Sequence, residues 1–167
     1  MANYPMKRTQ KLVQLVVSAS LILGLSAWSL AQEKRIPRRA LPAPVLAAFS
    51  EAYPRAAIKR CFQETDKGQT VYEIESVEGK TRRDIIYAAD GKLILAEETL
   101  AVSEMPPAVM VALDRKFPGA KILRAEKVTK GAVVGYEFQI EPKTPRRRLP
   151  RMRTEVVFDS MGNELKM

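Results

Sequence analysis

The sequence predicts an α+β fold made of two tandem units, each a short helix packed on an antiparallel four-stranded β meander. Three observations predict it. The stretch from Pro42 to Glu75 realigns without a gap on Pro106 to Gln139 at a shift of 64 residues, with ten of 34 columns identical, among them Val45/Val109, Pro54/Pro118, Arg60/Arg124, Tyr72/Tyr136 and Glu73/Glu137. A repeat of this length is a whole folding unit and not a solenoid turn. In each copy, apolar residues at helical spacing stop at a proline, and residues alternating with period two follow. The third observation lies beyond the gapless block, where Ile85-Ile86-Tyr87 and Gly91 realign on Val156-Val157-Phe158 and Gly162 at a shift of 71.

The chain begins with Lys7, Arg8 and Lys11, then an apolar run from Leu12 to Leu30, then small residues at Ser29 and Ala31. This three-part pattern is that of a secretory signal peptide, residues 1–31, cleaved after Ala31. An uncleaved anchor is the rival reading, because the run approaches bilayer-spanning length. Cleavage would leave no stable membrane span, and a periplasmic or secreted location follows. Removal takes three of the 28 basic residues and none of the 19 acids, leaving a net charge of +6. Residues 32–40 are polar and basic and read as a flexible leader. Unit one then covers 41–100 and unit two 101–167.

In unit one, Pro42 and Pro44 open a helix that runs to about Tyr53, since proline is tolerated where the backbone N–H has no intrahelical partner. Leu46, Phe49 and Tyr53 make its apolar stripe, and Pro54 ends it. Strands follow at Ile58 to Thr65, Val71 to Val77, Asp84 to Ala88 and Leu93 to Ala96, with Lys67-Gly68, Glu78-Gly79 and Asp90-Gly91 as turns. In unit two, Pro106 and Pro107 open the helix, Val109, Leu113 and Phe117 form its stripe, and Pro118-Gly119 ends it. Val134 to Ile140 is the clearest strand there.

The turn between the second and third strands is seven residues longer in unit two. This basic insert, 142–153, holds Lys143, Arg146, Arg147, Arg148, Arg151 and Arg153, three prolines and no acid. Its composition predicts an extended loop available to an acidic partner, to anionic lipid or to an envelope polymer. A plain solubilising loop is the alternative. Nucleic acid is not expected as a partner, given the export signal and the absence of aromatic residues for base stacking in the insert.

The composition also limits the chemistry. There is no histidine and only one cysteine, Cys61. Ser–His and Cys–His nucleophile pairs and the usual zinc and iron ligand sets are therefore excluded. Neither a metal nor a cofactor is expected, and the chain is not expected to be an enzyme. Cys61, within a strand, reads as a small buried hydrophobe, with a redox or covalent-dimer role as the alternative. Glu73 and Glu75 lie on one strand face roughly 7 Å apart by strand rise, a spacing that suits carboxylate catalysis but equally an ordinary solvated face. If Tyr72, Ile74, Ile85, Tyr87, Tyr136, Phe138, Val156 and Phe158 face the helices, then Glu73, Glu75, Asp84, Ile86, Glu137, Gln139, Glu155 and Val157 face away. That outer strip reads as a surface for a partner protein or as a plain solvated face. Glu137 in particular is expected to meet water and Tyr136 to fill the core.

The ordered set Pro42, Val45, Phe49, Tyr53-Pro54, Ala56, Ile58, Tyr72-Glu73 and Asp90-Gly91 resembles the PepSY-like family of bacterial secreted proteins. It recurs as Pro106, Val109, Leu113, Phe117-Pro118-Gly119-Ala120, Tyr136-Glu137 and Gly162. Members of that family resemble the β-lactamase-inhibitor protein in fold. The resemblance implies an exported, non-catalytic module that binds an exported protein, with inhibition of a secreted or periplasmic enzyme such as a peptidase as its use. It carries over no catalytic residue, and the basic insert departs from the family pattern. The alternative function is an envelope-associated protein held on anionic lipid or polymer by that insert.

Overall fold

The computed structural model describes residues 33–66, 68–143 and 153–166. Nine strands form one antiparallel sheet in chain order. They are β1 (Lys34–Ile36), β2 (Ala57–Asp66), β3 (Gln69–Glu78), β4 (Thr81–Ala88), β5 (Leu93–Thr99), β6 (Lys121–Lys130), β7 (Val133–Glu141), β8 (Thr154–Phe158) and β9 (Glu164–Leu165). Helix α1 (Ala43–Ala52) precedes β2, and α2 (Pro107–Lys116) precedes β6. Two helices, each followed by a four-stranded meander, make the expected tandem α+β architecture.

The leader differs from expectation. Lys34–Ile36 pairs with Cys61–Gln63 as an edge strand, and Arg38–Ala40 forms a 3₁₀ turn. The physical reason is Ile36, which is buried in the first core and ties its backbone to the edge of β2. Residues 1–31, read from the sequence as a signal peptide, and residues 144–152 lie outside the described residues, and with them Arg146, Arg147, Arg148 and Arg151. Lys143 and Arg153, at the two ends of the insert, are exposed.

Both helices start on proline and end before one. Pro42 and Pro106 take the N-cap positions with extended backbones, and Tyr53 and Phe117 donate their N–H groups to Phe49 O and Leu113 O at 2.9 and 2.8 Å. A residue ahead of proline is pushed out of helical geometry, so Pro54 and Pro118 fix both ends. Helix α1 buries Val45 and Phe49 against Cys61, Ile74, Ile85 and Tyr87. Helix α2 buries Val109, Ala112 and Leu113 against Phe138, Ile140, Val156 and Phe158. Burying each such side chain fully stabilises by about 1.5–3 kcal/mol.

The two meanders join edge to edge, from Leu95↔Lys130 to Thr99↔Glu126. Ala96 belongs to the first core and Leu100, four residues on, packs on the second. Even spacing along a strand keeps one face, so both helices lie on the same side of the shared sheet. The other side carries no described helix.

Candidate functional site

The helix-free face is built from register. One row across the sheet reads Phe62, Glu73, Ile86, Leu95, Lys130. The next reads Arg60, Glu75, Asp84, Glu97, Val128, Gly135. In unit two, Glu126, Glu137 and Val157 align, as do Arg124, Gln139 and Glu155. The structure therefore brings all eight predicted outer-strip residues onto one face, with the helix-facing set opposite.

Their environment differs from the expectation of a solvated strip. Glu73, Glu75, Glu137, Ile86 and Val157 are buried, together with Glu126, while Asp84 and Gln139 are half-buried and Glu155 is exposed. Val71, Ile86, Leu95 and Val128 form a third apolar cluster here. Two causes operate. Register shifts at Ile58/Arg60, Ile86/Tyr87 and Ile122/Arg124 are bulges, and bulges bend the sheet and increase its twist. Long side chains also lie along the face and cover it: the Arg60 guanidinium sits 5.8 Å from the centre of the Phe62 ring.

Glu137 is accordingly not a water-facing residue. It is 8% exposed and lies 3.8 Å from Arg124 Nη2, while Tyr136 is only partly buried at the margin of the second core. Phe138, with no exposure, fills that core instead. A period-two pattern identifies which residues share a face but not how deep each face is buried.

Two arginines that the strip omitted organise it. Arg60 pairs with Glu75, its cross-strand neighbour, and Arg124 Nε lies 2.8 Å from Glu126 Oε2. The same bulge precedes each arginine and turns it onto this face. Their signal was present as an identical repeat column, Arg60/Arg124. Gln139, which replaces the second acid in unit two, donates to Glu155 Oε1 at 3.2 Å.

At the β1 side of the face the charge balance changes. Glu33, Glu64 and Glu73 each bring a carboxylate oxygen within 4.8 Å of the others, and so do Glu73, Glu75 and Asp84. Glu73 donates a proton to Glu64 in a carboxyl–carboxylate hydrogen bond. Burial first, then that bond and the charges of Glu64, Asp84 and Glu75, push the Glu73 carboxyl up to about 9. Burial also raises Glu64, opposed by its bond from Glu73.

Cys61 is 2% exposed inside the first core, and burial raises its thiol above the ordinary range. This is the small buried hydrophobe expected of it. Among the described residues no helix is long and apolar enough to cross a membrane.

No protein-family model matches the sequence, and no curated protein matches it. Solved structures do match in fold. A protein assigned to the periplasm of Bacteroides eggerthii superposes with a TM-score of 0.60 at 20% identity, over 74% of this chain and 85% of that one. A DUF2874 family protein from Bacteroides ovatus gives 0.59 at 13% identity, over 74% and 84%. A BLIP-like protein from Bacteroides fragilis gives 0.56 at 18% identity, over 73% and 81%. In fold, the chain is similar to the DUF2874 and BLIP-like proteins.

Proposed function

We propose that this chain is an exported, non-catalytic protein-binding module of the PepSY-like kind, which docks an exported partner on the helix-free face of its sheet. A secreted or periplasmic enzyme such as a peptidase, held in an inhibited complex, is the expected partner. The observation that carries the reading is a nine-stranded sheet with both helices on one side. The opposite side keeps an apolar floor (Ile86, Leu95, Val128, Val157) under a rim of acids. Of the predicted contact set, Asp84, Gln139 and Glu155 remain within reach of a partner, and Glu73, Glu75, Ile86, Glu137 and Val157 support them from below. The fold shared with a BLIP-like protein, and with a protein assigned to the periplasm, supports the same reading.

The test is capture from an envelope extract with the purified protein, repeated with Asp84→Lys and Glu155→Lys together. The expected result is one exported protein retained at about 0.5 M salt, where a purely electrostatic contact is screened within a few ångströms, and lost in the double variant. Retention unchanged by the double variant overturns the assignment of this face. Retention only on heparin or anionic vesicles, abolished by salt, favours the basic insert between Lys143 and Arg153 as the working surface instead.

A further inference from the structure

We propose that the cleft between the leader and β2, where Arg35, Arg38 and Lys59 meet, binds a small organic phosphate monoester. The cleft lies at the β1 edge of the sheet and needs no partner on the helix-free face.

Two local breaks in pairing open it. β1 pairs with β2 only from Lys34↔Gln63 to Ile36↔Cys61. Pro37 has no N–H to continue the ladder. The chain then turns through Arg38–Ala40, with Ala40 N–H donating to Pro37 O at 2.8 Å. On the facing strand, the bulge between Ile58 and Arg60 leaves Lys59 outside the pairing with β3, and such an extra residue is re-aimed. The space between the two segments is about 510 Å³, within the usual range for a small-molecule site. Ile36, Ile58 and Cys61 give it an apolar floor.

The charge around that floor has one sign. Arg35, Arg38, Lys59 and Arg60 line the cleft, and no acid does. Arg60 is held by Glu75. The other three are exposed, and none forms an ion pair with a described carboxylate. Their field reaches the floor: burial raises the Cys61 thiol, and Arg38 and then Arg35 pull it back down.

The second unit shows that the fold does not require these charges. Its frame is the same. Leu100 N–H donates to Ala125 O at 3.0 Å where Ile36 pairs with Cys61. Val102–Glu104 repeats the 3₁₀ turn, and the bulge recurs between Ile122 and Arg124. At the shift of 64 residues the floor stays apolar (Ile36/Leu100, Ile58/Ile122, Cys61/Ala125) and Arg60 stays arginine as Arg124. Arg35, Arg38 and Lys59 instead correspond to Thr99, Val102 and Leu123. Three positions on two segments thus differ in the same direction and converge on one cleft. Like charges gathered this way repel one another, and an anion between them reverses the sign of that interaction.

The cation set selects the anion. A phosphate monoester carries about −1.5 to −2 charges at pH 7 and three strong acceptor oxygens, which suits three cations. A carboxylate or a phosphodiester brings a single charge. The planar guanidinium forks of Arg35 and Arg38 suit phosphate oxygens in pairs, and Lys59 adds a point charge. The apolar floor takes the organic group of the ester.

Titration of the purified protein with phenyl phosphate at low salt and about pH 8, where the ester is a dianion, tests the proposal by amide NMR shifts. Shift changes are expected at residues 35–38 and 58–61. Arg38→Val and Lys59→Leu introduce the residues that the second unit carries at the same positions, so the fold should tolerate them. Each should weaken binding at least about tenfold, the loss expected of one charge-assisted hydrogen bond. Lys80→Ser, which removes one charge from the β3–β4 turn, should bind like the parent. Should Arg38→Val fail to fold, Lys59→Leu carries the same test. Absence of shift changes at about 10 mM phenyl phosphate, weaker than any useful site, overturns the proposal. So do changes confined to the insert between Lys143 and Arg153, and binding that both cleft variants leave intact. Benzoate binding as tightly as phenyl phosphate overturns the choice of phosphate. Retention on phosphatidic acid vesicles without binding of phenyl phosphate overturns the choice of a small ligand.

Discussion

A Cβ placed on Gly91 would lie 2.7 Å from the carbonyl oxygen of Pro44, and one placed on Gly162 would lie 2.7 Å from that of Ala108. Pro44 and Ala108 are equivalent positions in the two units, as are Gly91 and Gly162. In both units, therefore, the last hairpin presses against the first turn of the helix. Both glycines have positive φ, +88° and +84°, and their turns close alike: Gly91 N–H donates to Ala88 O and Gly162 N–H to Asp159 O, each at 3.0 Å.

Gly91→Ala should therefore destabilise by more than about 2 kcal/mol, combining left-handed strain of about 1–2 kcal/mol with a backbone clash that cannot relax. Gly68→Ala, also at positive φ but with nothing within 4 Å, should show the strain alone. Urea melts of the two variants are the measurement; equal losses would mean that the helix yields to the hairpin.

Phe138→Ala should be the most damaging change on β7, at about 3–5 kcal/mol. It is fully buried and meets Phe158 edge-on at 6.4 Å between ring centres. Tyr136→Ala should cost less, because that ring is only partly buried. Glu137→Ala should exceed the roughly 0.5 kcal/mol typical of surface sites, since it leaves Arg124 beside Glu126 without its second carboxylate. Denaturant midpoints rank the three.

Stability should fall as the pH rises from about 4.5 toward 9. Glu73 keeps a proton in the folded chain that an unfolded glutamate releases near 4.5. The folded state thus binds more protons across that window, and the stabilisation present below 4.5 is lost as pH climbs through the folded value. The slope attributable to Glu73 is at most about 1.4 kcal/mol per pH unit, one proton's worth. Melts from pH 5 to 9 check it, and Glu73→Gln should flatten the profile.

Replacing Arg146, Arg147 and Arg148 with Ser should leave the melting temperature within about 2 °C while weakening retention on polyanions. The insert leaves β7 at Glu141 and re-enters at Thr154, and the ladder between them is complete from Tyr136↔Phe158 to Ile140↔Thr154. A large loss of stability would show that these arginines serve the fold.

Much of the architecture was legible because it is written twice. Pro54 and Pro118 mark helix ends by a local steric rule, and Tyr72-Glu73-Ile74 and Tyr136-Glu137-Phe138 fix a face by a period of two. The leader strand was not legible: only Ile36, among charged neighbours, signals it, and its pairing with Cys61 spans 25 residues.

The sequence by itself determined the two units, their helix and strand order, the face each strand residue takes and the poverty of the chain in nucleophilic chemistry. These follow from local sterics and periodicity, which act within a few residues. Tertiary structure alone decided that the units share one sheet through β5 and β6 and that both helices lie on the same side. It also decided that Glu73, Glu126 and Glu137 are buried and that Glu64 meets Glu73 without a cation between them. Those outcomes depend on sheet register and bend, which bring together residues that no pattern along the chain connects.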